Sequence, residues 1–473
     1  MPMQAVLIIC VLTIVSSGFG LLGLWYPLFS VVLFVVLLFA GICLFLYFCK
    51  DFLTQLRFGA FHYLLFLMFV FTVFFHSIGI LVPETGFDAL WYHLPLIQEY
   101  STQHALVHDE QFYQSLYPQY GDGVLLLGYI SLGVIGAKLV SFIFFLILSL
   151  TVYAWLRRKL SVGDALLGAL VVDLFQVVSW QSSSAYVDVI SAVFFLWSVE
   201  YFFLEKKESG LSIHFFTAAL ATGVFLGTKF INLGFLPLYV LLSFFHILMK
   251  SRDKSVQRQI SELILFWLVT VSLALPWYLR SWWFTGSLIY PIGTIYAVPV
   301  IAQMGVIGWK EWIMIRVQSI WQLPFEFFFR NDGYVTPLLL LFSLVLLMKK
   351  SWSRELFLGT LTGGYGLFFW YFFPPPSTRY VLGPVIVFWI VMYQAIIHFF
   401  QKRLVWVRFI RLLCVLNVMM FLLVRVFVTT RSVPYLLHWE NQQQYLDRFR
   451  NGFLDEKIDA WYSKSAKERT RAL

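Results

Sequence analysis

Residues 28–49 read LFSVVLFVVLLFAGICLFLYFC, a run without one charged side chain. At a rise of about 1.5 Å per residue, a helix of this length crosses the roughly 30 Å hydrocarbon core of a bilayer. Similar runs recur near 4–25, 59–82, 134–156, 164–180, 188–204, 213–228, 233–249, 260–280, 334–348, 355–373, 379–400 and 409–429, giving about thirteen expected spans. Of the 473 residues, 60% are hydrophobic, 20% aromatic and only 12% charged, against about 25% charged in an ordinary soluble domain. This composition excludes a soluble enzyme, a disordered chain and a nucleic-acid-binding module. The expected fold class is an all-α polytopic membrane bundle. The cysteines (Cys10, Cys43, Cys49, Cys414) lie in or beside apolar runs and read as apolar packing residues. The first run has no charged segment before it and no small-residue cleavage site, so it reads as a retained span.

The charges set an orientation. Between the spans lie short basic connections: Lys50/Arg57, Arg157-Arg158-Lys159, Lys206-Lys207, Lys250/Arg252/Lys254/Arg258, Lys349-Lys350/Arg354 and Lys402-Arg403/Arg408/Arg411. All fall on one side of the expected bundle, and the positive-inside rule makes that side cytoplasmic. The N-terminus is then expected inside and the C-terminus outside. The opposite side receives the loop 83–133, the Trp- and Phe-rich loop 281–333, and a polar tail over 430–473. The simplest division is a membrane domain over 1–429 with that tail as a small appendage. Loop 83–133 contains Glu84, Asp88, Glu99, Asp109, Glu110 and Asp122 but neither Lys nor Arg. Long loops between helices are uncommon unless functional, so the chemistry is expected on this outer face.

Within the first loop, residues 84–110 read ETGFDALWYHLPLIQEYSTQHALVHDE. Trp91, Leu94, Leu96, Ile97 and Tyr100 recur at near-helical spacing with polar residues between them, as in an amphipathic interfacial helix. Asp88 stands at its start. One reading makes it an N-cap; the other makes it a carboxylate placed to take a proton from an acceptor. Trp91 and Tyr92, three and four residues on, fall on the same face and would wall a sugar ring or a lipid tail. His104 and His108 share a helical face and offer half of a metal site, but no third ligand is fixed by the sequence. Charges inside or beside apolar runs are functional candidates by default: Asp173, Asp188, Lys229, Arg280, Arg379, Arg425 and, at a span edge, Lys138. Lys229, Arg280, Arg379 and Arg425 map near the outer face, where they would either snorkel to headgroups or grip a phosphate.

The acidic residue beyond an early span, followed by an aromatic-Tyr-His-x-Pro string, resembles the first loop of the GT-C membrane glycosyltransferases, in particular the protein O-mannosyltransferase and lipid A aminoarabinose transferase group. YPQYGDGVLLLGYISLG (117–133), AYVDVISAVFFL (185–196), GVFLGTKF (223–230), PWYLRSWWFTGSLIYP (276–291) and PPPSTRYVLGP (374–384) resemble further strings of that family, in the same order. The resemblance implies a donor sugar on a polyprenyl phosphate and a glycan, lipid or protein acceptor. It makes Asp88 the catalytic residue and sets Asp122, Asp188 and His93 to orient the acceptor or a metal. Lys229, Arg280 and Arg379 would bind the donor phosphate. Trp91, Tyr92, Trp277, Tyr278 and Tyr380 would form the wall of the site. No metal ligand set is assigned, although a divalent ion is compatible with the reading. The expected setting is a bacterial inner membrane, with membrane lipids around the bundle and no nucleic acid as partner. Two other classes stay open from the residues alone: a polytopic transporter or lipid flippase, and a non-catalytic assembly subunit.

Overall fold

The computed structural model describes residues 3–54, 59–203, 213–249, 256–291, 309–327, 335–347, 353–373, 377–450, 452 and 454–471. The basic connections at Arg57, Lys206-Lys207, Lys250/Arg252/Lys254 and Lys349-Lys350 lie outside these residues. So do 292–308 and 328–334 of the second outer loop, and Pro374–Pro376. Among the described residues the secondary structure is helical throughout, without strands. The protein is an all-α polytopic membrane protein.

The helices that carry the argument are α1 (Met3–Leu21), α2 (Pro27–Thr54), α3 (Ala60–Ile78), α4 (Leu94–Gln103), α5 (Tyr120–Arg157), α6 (Val162–Asp173), α7 (Gln176–Gln181), α8 (Asp188–Phe203) and α9 (Ile213–Leu226). They continue with α10 (Leu236–Met249), α11 (Val256–Thr285), α12 (Trp309–Gln318), α13 (Leu338–Ser343), α14 (Arg354–Phe372), α15 (Leu382–Phe400) and α16 (Leu404–Thr430). The tail adds α17 (Gln442–Asp447) and α18 (Asp455–Arg471). Each of the thirteen expected spans overlaps one or more of these helices. The run at 164–180 is two helices, α6 and α7, broken at Leu174-Phe175. Among the described residues, eight helices are long and apolar enough to cross a membrane, and the other passes are shorter or less uniformly apolar.

Burial separates the helices into a centre and a rim. The most apolar windows of α5 and α15 are each 83% buried by the rest of the protein, against 28% for those of α2 and α16. The rim helices turn Leu28, Phe39, Leu423 and Phe427 outward, which only a lipid solvent tolerates on this scale. At the centre, Trp389 stacks on Tyr393 with ring centroids 5.3 Å apart, and its indole N–H donates to the Gly168 carbonyl at 2.9 Å, joining α15 to α6.

The two ends of the bundle differ in kind. At one end, basic residues that follow α5 pair with acids on its neighbours: Arg158 with Glu200 of α8, Lys159 with Glu355 of α14, and Arg157 with Asp51 of α2 at 3.7 Å. Arg411 of α16 grips Asp164 of α6 through two bonds of 2.7 and 2.8 Å. The opposite end gathers the first loop, the turns before α8, α10 and α15, and the tail.

Helix α5 has two parts. Leu132 and Gly133 leave helical geometry, and Gly133 adopts φ 60°, ψ −146°. That region is open essentially to glycine alone. The kink separates an N-terminal segment carrying Asp122 from the long central segment. Gly133→Ala is expected to cost about 1–3 kcal/mol of stability. A lowered midpoint of thermal unfolding in detergent checks this; an unchanged midpoint would mean the kink does not depend on glycine.

Candidate active site at the outer end of the bundle

The first loop enters from α3 and reaches Asp88 just before a π-helical turn, Ala89–His93, which runs straight into α4. The N–H of Leu94 bonds back to the Ala89 carbonyl, five residues earlier, and Pro95 in the first turn of α4 supplies no N–H to this stretch. Such π turns are frequent at functional sites. Leu94, Leu96, Ile97 and Tyr100 of α4 are fully buried, so its apolar face is covered by the bundle. Asp88 makes no side-chain cap. Its Oδ2 instead lies 2.6 Å from Arg379 Nη1, and Asp88 is nearly buried.

A second ion pair lies beside the first. Lys229, in the turn between α9 and α10, places Nζ 2.6 Å from Asp188 Oδ1, and Gln181 Nε2 donates to the other carboxylate oxygen at 2.8 Å. Tyr380 links the two pairs. Arg379 Nη2 donates to its hydroxyl at 3.0 Å, and its ring centroid is 5.0 Å from the Arg379 guanidinium and 5.1 Å from Lys229 Nζ. Arg379 Nε is buried and has no hydrogen-bond partner among the described residues, so the guanidinium keeps donor capacity toward them.

A third carboxylate, Asp122 at the start of α5, takes a different partner: His93 Nδ1 lies 2.5 Å from its Oδ1, and both side chains are buried. His93 Nε2 is buried without a partner. The Tyr92 ring packs 4.1 Å from the His93 ring, and its hydroxyl donates a long 3.5 Å bond to Asp88 Oδ2. The backbone N–H of Asp88 donates to the Tyr186 hydroxyl at 2.9 Å. Burial, reinforced by the neighbouring Asp88 charge, pushes the Tyr92 and Tyr186 hydroxyls well above the usual tyrosine range. Both therefore remain neutral at physiological pH, Tyr92 donating to the Asp88 carboxylate and Tyr186 accepting from the Asp88 backbone N–H. Aromatic rings surround the pairs: Trp91 lies 5.4 Å from Phe87 and 6.1 Å from Tyr113, and Tyr117 stacks on Phe230 at 5.5 Å.

Asp88, Arg379, Tyr380, Lys229, Asp188, Tyr92, His93 and Asp122 are thus brought together. Arg280, Trp277 and Tyr278 are placed differently. Arg280 sends Nη1 to the Ser115 carbonyl at 2.6 Å and Nη2 to that of Val107 at 3.0 Å, so it ties α11 to the second half of the first loop. Trp277 is buried edge-on against Tyr120, and the Tyr278 hydroxyl donates to the Leu226 carbonyl at 2.8 Å. His104 closes α4 in the left-handed region and lies 3.0 Å from the Trp25 carbonyl, while His108 faces the Ser115 hydroxyl. Among the described residues no group of three His, Cys, Asp or Glu side chains converges as a metal site. The sequence reading did not single out Tyr186, Gln181 or Tyr117. They are neutral, and only their nearness to Asp188 and Asp122 along the chain could have drawn notice.

No protein-family model matches the chain, and no curated protein matches it in sequence. In three dimensions the chain is similar to ArnT from Cupriavidus metallidurans, whose crystal structure is bound to undecaprenyl phosphate. The TM-score is 0.50 at 13% sequence identity, over 84% of this chain and 74% of that one. The chain therefore shares its fold with that structure, as the sequence resemblance led us to expect.

Proposed function

We propose that this protein is a membrane glycosyltransferase that moves a sugar from a polyprenyl-monophosphate donor to an acceptor hydroxyl on the extracytoplasmic face. The observation that carries the proposal is the meeting of two ion pairs, Asp88–Arg379 and Asp188–Lys229, around the Tyr380 ring at one end of an apolar bundle. The neighbour of similar fold holds undecaprenyl phosphate, a ligand with one anionic head and a long apolar tail. A cluster of paired charges at the end of an apolar bundle suits such a donor. The ion pairs sit at one end of the bundle and not at mid-depth, which favours an enzyme over a transporter.

In this reading Asp88 takes the proton of the acceptor hydroxyl as its oxygen attacks the anomeric carbon. The bond from that carbon to the phosphate oxygen breaks, its electrons stay on oxygen, and polyprenyl phosphate departs with an added negative charge. Arg379 and Lys229 meet that charge with charge-assisted bonds, strongest where it develops. A phosphate is already a good leaving group, so one base and no paired acid is needed, and single displacement inverts the anomeric centre. Arg379 shares its guanidinium between Asp88 and the phosphate, its bare Nε facing the extra demand. Arg280 serves by holding the first loop. His93, Asp122 and Asp188 orient the acceptor and the cations, and Trp91, Tyr92 and Tyr380 wall the sugar.

Asp88→Asn is expected to lower kcat/KM for transfer from polyprenyl-phosphate sugars by about 10²–10⁴-fold, the usual worth of a general base. Wild-type turnover in that variant, purified and assayed in lipid nanodiscs, would remove Asp88 from the role. Arg379→Gln and Lys229→Gln are expected to weaken donor binding and turnover together, since each removes a charge-assisted phosphate contact, worth about 1.5–3 kcal/mol. Unchanged donor KM and kcat in both would place the phosphate elsewhere. Mass spectrometry of lipid that copurifies with the protein identifies the donor sugar.

A further inference from the structure

Asp88 lies between two stretches with little regular structure to hold them, the loop 84–87 and the π turn 89–93. What fixes them is a carboxylate that takes no part in the chemistry proposed above. Glu84 is 3% exposed. Its Oε1 accepts from the Thr85 N–H at 2.9 Å, the Gly86 N–H at 2.8 Å and the Ser184 hydroxyl at 2.7 Å. Its Oε2 accepts from the Ala185 N–H at 2.9 Å. One side chain thus closes the loop on itself and fastens it to the turn before α8, whose Tyr186 hydroxyl accepts from the Asp88 N–H. The two segments approach so closely that a Cβ at Gly86 would lie 2.6 Å from the Tyr186 ring and 2.7 Å from the Ser184 hydroxyl.

The tail completes this arrangement. The Tyr462 hydroxyl of α18 donates to the Glu84 carbonyl at 2.9 Å. On the same helix Ile458 and Trp461 are buried, and Lys457 places Nζ 5.8 Å from the centroid of the Trp91 ring, in the wall of the site. Residues from opposite ends of the chain therefore hold the loop that presents Asp88.

We propose that Glu84 and Tyr462 are positioning residues for Asp88, and that the C-terminal tail is a working part of the outer site. The proposal rests on Asp88 being the base. Carboxylate reactivity depends on placement within a fraction of an ångström, and small misplacements far from the reacting atoms lower kcat. The chain holds the loop that carries Asp88 through neutral hydrogen bonds and a buried carboxylate, contacts that do not draw on Arg379 or Lys229.

The test uses full-length protein in nanodiscs carrying Tyr462→Phe, which deletes one hydroxyl. Hydrogen–deuterium exchange over 84–93 is expected to rise about fivefold, the scale of one lost hydrogen bond. In the transfer assay kcat, counted per folded molecule from the thermal unfolding curve, is expected to fall about tenfold to a hundredfold with donor KM unchanged; the count per folded molecule removes the loss that destabilisation alone would give. Glu84→Gln and Gly86→Ala are expected to act in the same direction and more strongly. If either of these fails to fold, Tyr462→Phe still decides. Unchanged exchange in Tyr462→Phe overturns the proposal, and so does faster exchange with wild-type kcat. If wild-type protein transfers no sugar while Tyr462→Phe loosens 84–93, the glycosyltransferase reading fails and the fastening of the loop by the tail stands.

Discussion

A carboxylate and a guanidinium 2.6 Å apart join the first loop to a turn 291 residues later in the chain. Neither group belongs alone in so buried a place, because an unpaired buried charge costs several kcal/mol. The demand for a partner therefore dictates architecture. Asp88 can reach Arg379 only if the turn ahead of α15 comes to the first loop, and α15 then runs from that point through the middle of the bundle. Asp188 and Lys229 impose the same condition on the start of α8 and the turn after α9. Tyr380 lies beside both cations, so the two pairs share one aromatic surface and are coupled through it.

Much of this was legible before any coordinates. Each expected span overlaps a helix because the length of an apolar run is a local property, readable wherever it occurs. The charged members of the site were legible for a related reason: a charge beside an apolar run is rare enough to be conspicuous, and Asp88, Asp188, Lys229 and Arg379 all stood out. What the sequence left unread is which groups touch. Arg280 looked like its fellow cations, yet its guanidinium goes to the carbonyls of Ser115 and Val107, and a carbonyl carries no signature in sequence. His93 and Asp122 were given one role by the resemblance, but at a separation of 29 residues nothing marked them as touching, and only the fold of α5 against the π turn makes them a pair.

The tail was the hardest part to read. Over 430–473 the sequence is polar and mixed in charge, which suggests an appendage. Its contacts with the first loop run through Tyr462 and Lys457, with Ile458 and Trp461 buried on the same helix, and the pattern of these residues over one helix does not specify a docking partner. The polar character of the tail describes the face turned to water and is silent about the face turned to the protein.

The ion pairs at the far end of the bundle bear on how such a site admits anything at all. Asp51, Glu200, Glu355 and Asp164 clasp α2, α8, α14 and α6 to the basic residues Arg157, Arg158, Lys159 and Arg411. Helices clasped at one end behave as levers with a common fulcrum. A tilt of a few degrees that leaves the clasp intact separates their free ends by about 2–3 Å over a 30 Å helix. The far ends of α5 and α8 carry Asp122 and Asp188, so the molecule is stiff where it is clasped and can part most widely at the end that holds the Asp88–Arg379 and Asp188–Lys229 pairs.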